Sequence, residues 1–305
     1  MKIIKPNKAM TENKNLEYNT NTEELAFDIP DNAGIIDSRD IAKFYPQRKR
    51  NTNKGDYGSA NIVAGSDRYI GAAALACAAA LKSGCGYVKL TSTEKVRLAL
   101  AAKYPQVIYL DECDLHSQSI AIGMGCGISG ELYETIKFLT KNYAGTLIID
   151  ADGLNSIAKF GLDILRDSNC RIILTPHLKE FSRLTGKSMS EISQNPVREA
   201  QEFAKKFGVI VLLKGAATII TDGNKIQINT SGTTALAKGG SGDMLSGYMA
   251  GSAARGLSPF DAAVCSAHTM GISAEICSEQ KTDYCATAHD ILNNLHLAVK
   301  YLTGK

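Results

Sequence analysis

A three-layer α/β architecture, with a mostly parallel central sheet and helices on both faces, is what the amino-acid sequence predicts. Three observations carry that expectation. From Lys54 onward, short β-branched or apolar runs alternate with helix-like runs, the pattern of strand–helix–strand units. Runs such as Val209-Ile210-Val211-Leu212-Leu213 are apolar without alternation, as strands buried on both faces are. Glycines, acids, a histidine and a lysine gather where the runs end, and open α/β sheets bind ligands outside the carboxyl ends of their strands.

In chain order, residues 1–45 are rich in Asn, Thr, Glu and Lys. They read as a polar N-terminal extension, loosely organised until Ile41, with a short helix at 38–44. Residues 46–305 read as one domain, without an internal repeat. Strands are expected at 60–64, 87–90, 119–122, 146–149, 171–174, 209–213 and 218–221, from their β-branched content. Helices are expected at 70–83, 94–102, 131–142, 179–185 and 197–207. Residues 217–228 turn at Asp222-Gly223-Asn224 and predict a hairpin that adds an antiparallel edge. The last third is helical. The run 243–255 is lined with Ser, Gly and Ala and suits close packing. Ser258 and Pro259 form an N-cap and first-turn pair for a long helix to about 278. A final helix is expected at 287–302.

The chain has 305 residues, 44% hydrophobic and 21% charged, an ordinary globular composition. The net charge is +3, and the basic stretch at 43–54 lacks the aromatic interleaving of a nucleic-acid surface. It reads as a solvated linker, and no nucleic-acid partner is expected. Eight cysteines lie scattered through the chain without a C-x-x-C pair, the usage of reduced thiols in a cytoplasmic protein. The N-terminus lacks a signal-type apolar core, and the longest apolar run, 71–81, is too short to cross a bilayer. A cytoplasmic protein without membrane association follows as the expectation.

The segment Lys238-Gly239-Gly240-Ser241-Gly242-Asp243-Met244-Leu245 is the most informative one. Glycines before a helix let backbone N–H groups approach a phosphate, and the helix N-terminus favours an anion. Asp243 falls in the first turn, placed to take a proton from an attacking hydroxyl. A glycine turn with Asp243 as a cap is the plainer alternative. Other strand ends add to the pattern. Gly65 and Gly71 flank one loop; Gly123-Met124-Gly125-Cys126-Gly127-Ile128-Ser129-Gly130 forms another. The latter holds a G-x-G-x-x-G, with Asp150 25 residues after Gly125, so a Rossmann oxidoreductase is an alternative. In Asp150-Ala151-Asp152-Gly153 one acid suits a helix cap and the other a site role. His177 and Glu180 share a helix face, either as ligand contacts or as a capping box. Lys214 ends the most apolar strand beside Gly215, which suits a phosphate contact.

Thr175-Pro176-His177-Leu178-Lys179-Glu180, followed by Leu184-Thr185-Gly186, resembles the T-P-N-x-x-E…L-T-G segment of ribokinase-like kinases, with His for Asn. Gly240-Ser241-Gly242-Asp243 resembles their anion hole and base. Taken with Lys54-Gly55-Asp56-Tyr57-Gly58, the Gly65–Ala72 loop, Asp150-Ala151-Asp152-Gly153-Leu154-Asn155 and Lys214-Gly215-Ala216-Ala217-Thr218, these motifs occur in the order seen in ADP/ATP-dependent NAD(P)H-hydrate dehydratases. The resemblance covers roughly residues 45–300. It implies a ribokinase-like fold and a metabolite-repair reaction, in which a nucleotide's phosphate activates the hydroxyl of hydrated NADH or NADPH. It implies Asp243 as base, with Gly240 and Gly242 in the anion hole. Hydrated cofactor would meet Ala72, Gly125, Gly127, His177 and Asp243. The donor, ADP or ATP, would meet Lys214, Gly215, Ala216, Ala217, Thr218 and Gly242. Glu180 would help place Mg²⁺ indirectly. A homo-oligomer and a separate epimerase are further implications. Met124 and Cys126 depart from the family's usual Pro and aliphatic residue, and Gly232-Thr233 from its Gly-Asn. A ribokinase-like small-molecule kinase and a catalytically silent nucleotide-binding protein are the alternatives.

Overall fold

A computed structural model describes residues 27–304. The elements run β1 (Gly34–Ile35), α1 (Ser38–Ala42), β2 (Ser59–Val63), α2 (Ile70–Lys82), β3 (Tyr87–Thr91), α3 (Glu94–Ala101), β4 (Ile108–Leu110) and β5 (Ser119–Ile122). There follow α4 (Gly130–Asn142), β6 (Thr146–Ile149), α5 (Asp152–Phe160), β7 (Arg171–Leu174), α6 (Leu178–Thr185), α7 (Met189–Gln194), α8 (Pro196–Phe207) and β8 (Ile210–Leu213). The chain ends with β9 (Thr218–Thr221), β10 (Ile226–Asn229), α9 (Ser241–Ala254), α10 (Pro259–Cys285) and α11 (Ala288–Thr303).

One ten-stranded sheet has the order β1-β10-β9-β8-β7-β6-β5-β2-β3-β4. The strands from β4 across to β8 pair in parallel. The expected hairpin is present: β9 runs antiparallel to β8, and β10 to β9. It is not the edge, because β1 pairs in parallel with β10. Only two residues long, β1 offers no periodicity to read. β4, three residues long, and α7, six, are also unforeseen, and the sequence marks α5 only as a helix behind a capping acid, without bounds. The helix expected to end near 278 continues to Cys285, with a break at Thr282 (φ 68°, ψ 155°).

Successive side chains of each central strand point to opposite faces. Ile148, Ile173, Leu212 and Ile220 join a core under α2, α9, α10 and α11. Leu147, Ile149, Ile172, Leu174, Val211 and Leu213 join another under α4, α5, α6 and α8. That explains the apolar runs. The expected close packing of α9 is observed: a Cβ added at Gly247 would lie 2.0 Å from the Ala76 carbonyl oxygen of α2. Among the described residues no helix is long and apolar enough to cross a membrane.

Strand order reverses between β2 and β5, which are parallel neighbours although β3 and β4 separate them in the chain. Loops leaving such a pair diverge to opposite faces and open a crevice. The loops after β6, β7 and β8 reach the same edge.

Candidate active site

The two loops at the reversal are sewn together. Gly65 N–H donates to Met124 O at 2.8 Å, and Gly123 N–H to Val63 O at 3.1 Å. Met124 is fully buried, and the Cys126 thiol donates to Val63 O at 3.4 Å. Both departures from the usual pattern therefore brace the loop from within. Gly125 has φ +67°, and a Cβ there would lie 2.7 Å from Tyr69 Cβ and 2.9 Å from Ala72 Cβ. Ala72, in the first turn of α2, and Gly125 thus form one wall.

Gly127 N–H donates to Asp152 Oδ2 at 2.8 Å. Asp152 does not cap α5, contrary to one sequence expectation. Ala151 holds the cap position without a side-chain cap, at φ 49°, ψ −115°. A non-glycine residue there is strained. Its neighbours hold it: Asp150 Oδ1 accepts the Ala151 N–H at 2.9 Å, and Asn155 Nδ2 donates to Ala151 O at 3.0 Å. The sharp turn sends the two acids to different partners. Asp150 is buried; its Oδ1 accepts from Lys214 Nζ at 2.9 Å and its Oδ2 from Ser246 Oγ at 2.7 Å. Burial opposes its charge, but Lys214 and the hydrogen bonds outweigh it and hold the carboxyl below the usual range. Burial likewise opposes the charge of Lys214, yet Asp150, Glu180 and Asp243 raise its pKa.

α9 opens at Gly240, with φ +97° and no side-chain cap. Met244 N–H bonds Gly240 O at 3.0 Å, and Ser241 N–H reaches Lys238 O only at 3.4 Å. Among the described residues, the N–H groups of Gly242 and Asp243 have no hydrogen-bond partner. A Cβ at Gly242 would lie 3.4 Å from Lys214 Nζ and 3.6 Å from Asp150 Oδ2. Free amides, a helix N-terminus and an ammonium therefore converge, the elements of an anion site. A Cβ at Gly240 would lie 2.4 Å from Leu75 Cδ1. Gly240→Ala is accordingly expected to lower unfolding free energy by about 1–2 kcal/mol from the left-handed backbone alone, with further loss from the overlap. Denaturant unfolding measures it; an unchanged midpoint would contradict the assigned turn.

Asp243 sits beside this site. Burial is the largest influence on it; Asp150 and Asp152 push in the same direction and Lys214 against, leaving its pKa at about 6. His177 is the N-cap of α6: its Nδ1 accepts from Lys179 N–H at 3.1 Å and Glu180 N–H at 3.3 Å. Glu180 Oε2 accepts from His177 N–H at 2.9 Å, which completes a capping box. The imidazole does what an Asn cap does, and Nε2 is left as its proton-bearing nitrogen. Burial, then Lys214, lowers the His177 pKa. Burial raises that of Glu180. His177 bridges to Lys214 through the backbone of the two loops. Gly215 and Ala216 are exposed at the rim, the Ala217 side chain is buried in the core, and Thr218 begins β9.

The sequence-marked positions Ala72, Gly125, Gly127, His177, Glu180, Lys214, Gly242 and Asp243 are thus linked by contacts or mutual charge at one edge of the sheet. Sequence reasoning did not pair Asp150 with Lys214 and missed Ser246 altogether. The one available signal for Ser246 is its spacing, one helical turn after Gly242. Among the described residues no three His, Cys, Asp or Glu side chains group as a metal cage. Asp150 is engaged by Lys214 and Glu180 by the His177 N–H.

Solved structures put this architecture in the ribokinase-like class. A ribokinase-like superfamily protein from Enterococcus faecalis shares the fold, with TM-score 0.77 at 23% identity over 90% of this chain and 98% of that one. The chain belongs to the NAD(P)H-hydrate dehydratase family, whose sequence model matches residues 60–296. The ADP/ATP-dependent NAD(P)H-hydrate dehydratase of Bacillus subtilis, co-crystallised with ATP and Mg²⁺, superposes with TM-score 0.82 at 28% identity, covering 90% of this chain and 100% of that one. The ADP-dependent (S)-NAD(P)H-hydrate dehydratase of Cenarchaeum symbiosum is 34% identical over 81% of this chain and 90% of its own length. The bifunctional NAD(P)H-hydrate repair enzyme Nnr of Thermofilum pendens is 34% identical over 84% of this chain. The chain spans about half of that relative's length, 52%.

Proposed function

We propose that this chain uses ADP or ATP to dehydrate hydrated NADH or NADPH back to the reduced cofactor. The observation that carries the reading is the placement of the Asp243 carboxylate in the first turn of α9, beside unpaired N–H groups and the Lys214 ammonium. Asp243 takes the proton of the substrate's ring hydroxyl. The freed oxygen forms a bond to the terminal phosphorus of the nucleotide, and the bond from that phosphorus to its bridging oxygen breaks. The Gly240 and Gly242 amides, with that of Asp243, hold the charge on the transferring group. The ester then leaves as orthophosphate, with loss of a proton from the adjacent ring carbon, and the double bond is restored. Phosphate is a far better leaving group than hydroxide, so positioning and charge stabilisation suffice.

Ala72, Gly125, Gly127 and His177 line the hydrated-cofactor side, and Nε2 of His177 is a neutral donor there. Lys214, Gly215, Ala216, Ala217, Thr218 and Gly242 serve the nucleotide, Ala217 through its backbone. Glu180 would help place, through water, a Mg²⁺ that would neutralise charge on the nucleotide phosphates. Residues 46–305 carry the catalysis on this reading, with β1 and α1 added at one side. All eight cysteines are free thiols, which suits the cytoplasm. A homo-oligomer, and a separate epimerase acting on the same substrate, complete the proposal.

The test is incubation with hydrated NADH, Mg²⁺ and each nucleotide in turn, following the absorbance of reduced nicotinamide. Recovery with either nucleotide is expected. No recovery with both overturns the reading, and a stable phosphorylated product without recovery points to a small-molecule kinase.

A further inference from the structure

We infer that the Lys238 ammonium clamps the anion-binding turn at the start of α9 to the broken end of α10, as a positioning residue for the reaction proposed above, on which this inference rests. Lys238 Nζ donates to the main-chain oxygens of Asp283 at 2.8 Å, Tyr284 at 2.9 Å, and Ala286. An ammonium has three N–H donors and no acceptor, and here each donor meets one carbonyl. The carbonyls are available because α10 breaks at Thr282 and stops at Cys285; a helix end leaves its last carbonyls without partners in the helix.

The other end of the clamp is the catalytic turn itself. Lys238 O accepts the Ser241 N–H at 3.4 Å, and the next two amides are the unpaired ones of Gly242 and Asp243. Downstream the turn rests on Leu75 and Ala288 at Gly240, which adopts φ +97°; upstream, a Cβ at Gly239 would meet nothing within 4 Å. Thr234 Oγ1, earlier in the same loop, also donates to the Asp283 side chain. So the glycine pair is held at its upstream end by one cation in a carbonyl cradle. Loss of that cation frees the amides to shift while leaving every proposed ligand contact chemically intact.

Lys238→Ala tests this in the full chain, with ADP or ATP and hydrated NADH. Its kcat is expected to fall about 10²-fold, the order of effect of an ångström-scale misplacement, with KM for both substrates within about threefold of the parent. Melting temperature should change little. Propylammonium, which replaces the deleted atoms and their N–H donors, should restore at least about a tenth of the parent rate. Tetramethylammonium at equal concentration, with no N–H, should restore none. A parental kcat, or a loss that propylammonium does not mend, overturns the inference. If Lys238→Ala does not fold, Lys238→Gln decides, because its amide keeps two donors and should give an intermediate kcat. If that variant also fails to fold, Lys238 is a folding residue and the inference falls. A parent that regenerates no NADH counts against the function instead. Hydrogen exchange at residues 239–243 then decides the clamp: about tenfold faster exchange in Lys238→Ala supports it, and equal exchange overturns it.

Discussion

Asp243→Asn is expected to lower turnover of hydrated cofactor by about 10²–10⁴-fold, the usual worth of a general base, while nucleotide affinity stays within a few-fold. Asparagine keeps the shape of the first turn of α9 but cannot accept the hydroxyl proton. The parent's kcat/KM should rise with pH through about 6, as the Asp243 carboxyl ionises, and the variant should lack that limb. Stability moves the other way. The folded pKa, about 6, lies above the ordinary 3.8, so the folded state binds the extra proton between those values. The parent therefore loses stability as pH rises through that window. The variant does not, and should melt no lower than the parent at neutral pH. A variant that remains active, or that keeps the rising limb, would remove Asp243 from its role.

Lys214→Met is expected to destabilise the fold by about 3–5 kcal/mol at neutral pH, because it strands the buried Asp150 charge. In the parent the Asp150 pKa lies below 3.8. Its stabilisation is present above the unfolded value and is lost as pH falls through the folded one. Without Lys214 burial is opposed only by hydrogen bonds such as those from Ser246 and Ala151, so the folded pKa rises, and stability falls as pH climbs past about 4. The gap between parent and variant should be small near pH 4 and widest at neutral pH, as denaturant titration at several pH values will show. Adding Asp150→Asn to Lys214→Met should recover most of the loss. Simple additivity of the two substitutions would mean that the pair is not coupled.

The layered sheet was legible because its strands are buried on both faces and helices such as α4, α6 and α8 obey the 3.6-residue period. Pieces without a period were not. β1 has two residues, and the extension of α10 beyond 278 is polar all round at Glu279-Gln280-Lys281. In the site, the glycines announced themselves because positive φ and close approach need them. The link of Asp150 to Lys214 spans 64 residues and that to Ser246 spans 96, and no local pattern encodes such distances. Asp152 shows the limit of capping rules: it stands where a cap is common, yet the strained Ala151 turn carries its carboxylate to Gly127 instead.

α2 and α9 lie side by side, with Gly240 against Leu75, Gly247 against Ala76 and Gly251 against Ser83. Their starting ends carry Ala72 and Asp243. On the proposed function, the pair is a fixed calliper whose jaws are the wall for one ligand and the proton acceptor, and whose gauge is the spacing that a missing side chain permits. One methyl group at Gly247, about one helical turn beyond Asp243, would splay the rods and reset that gauge.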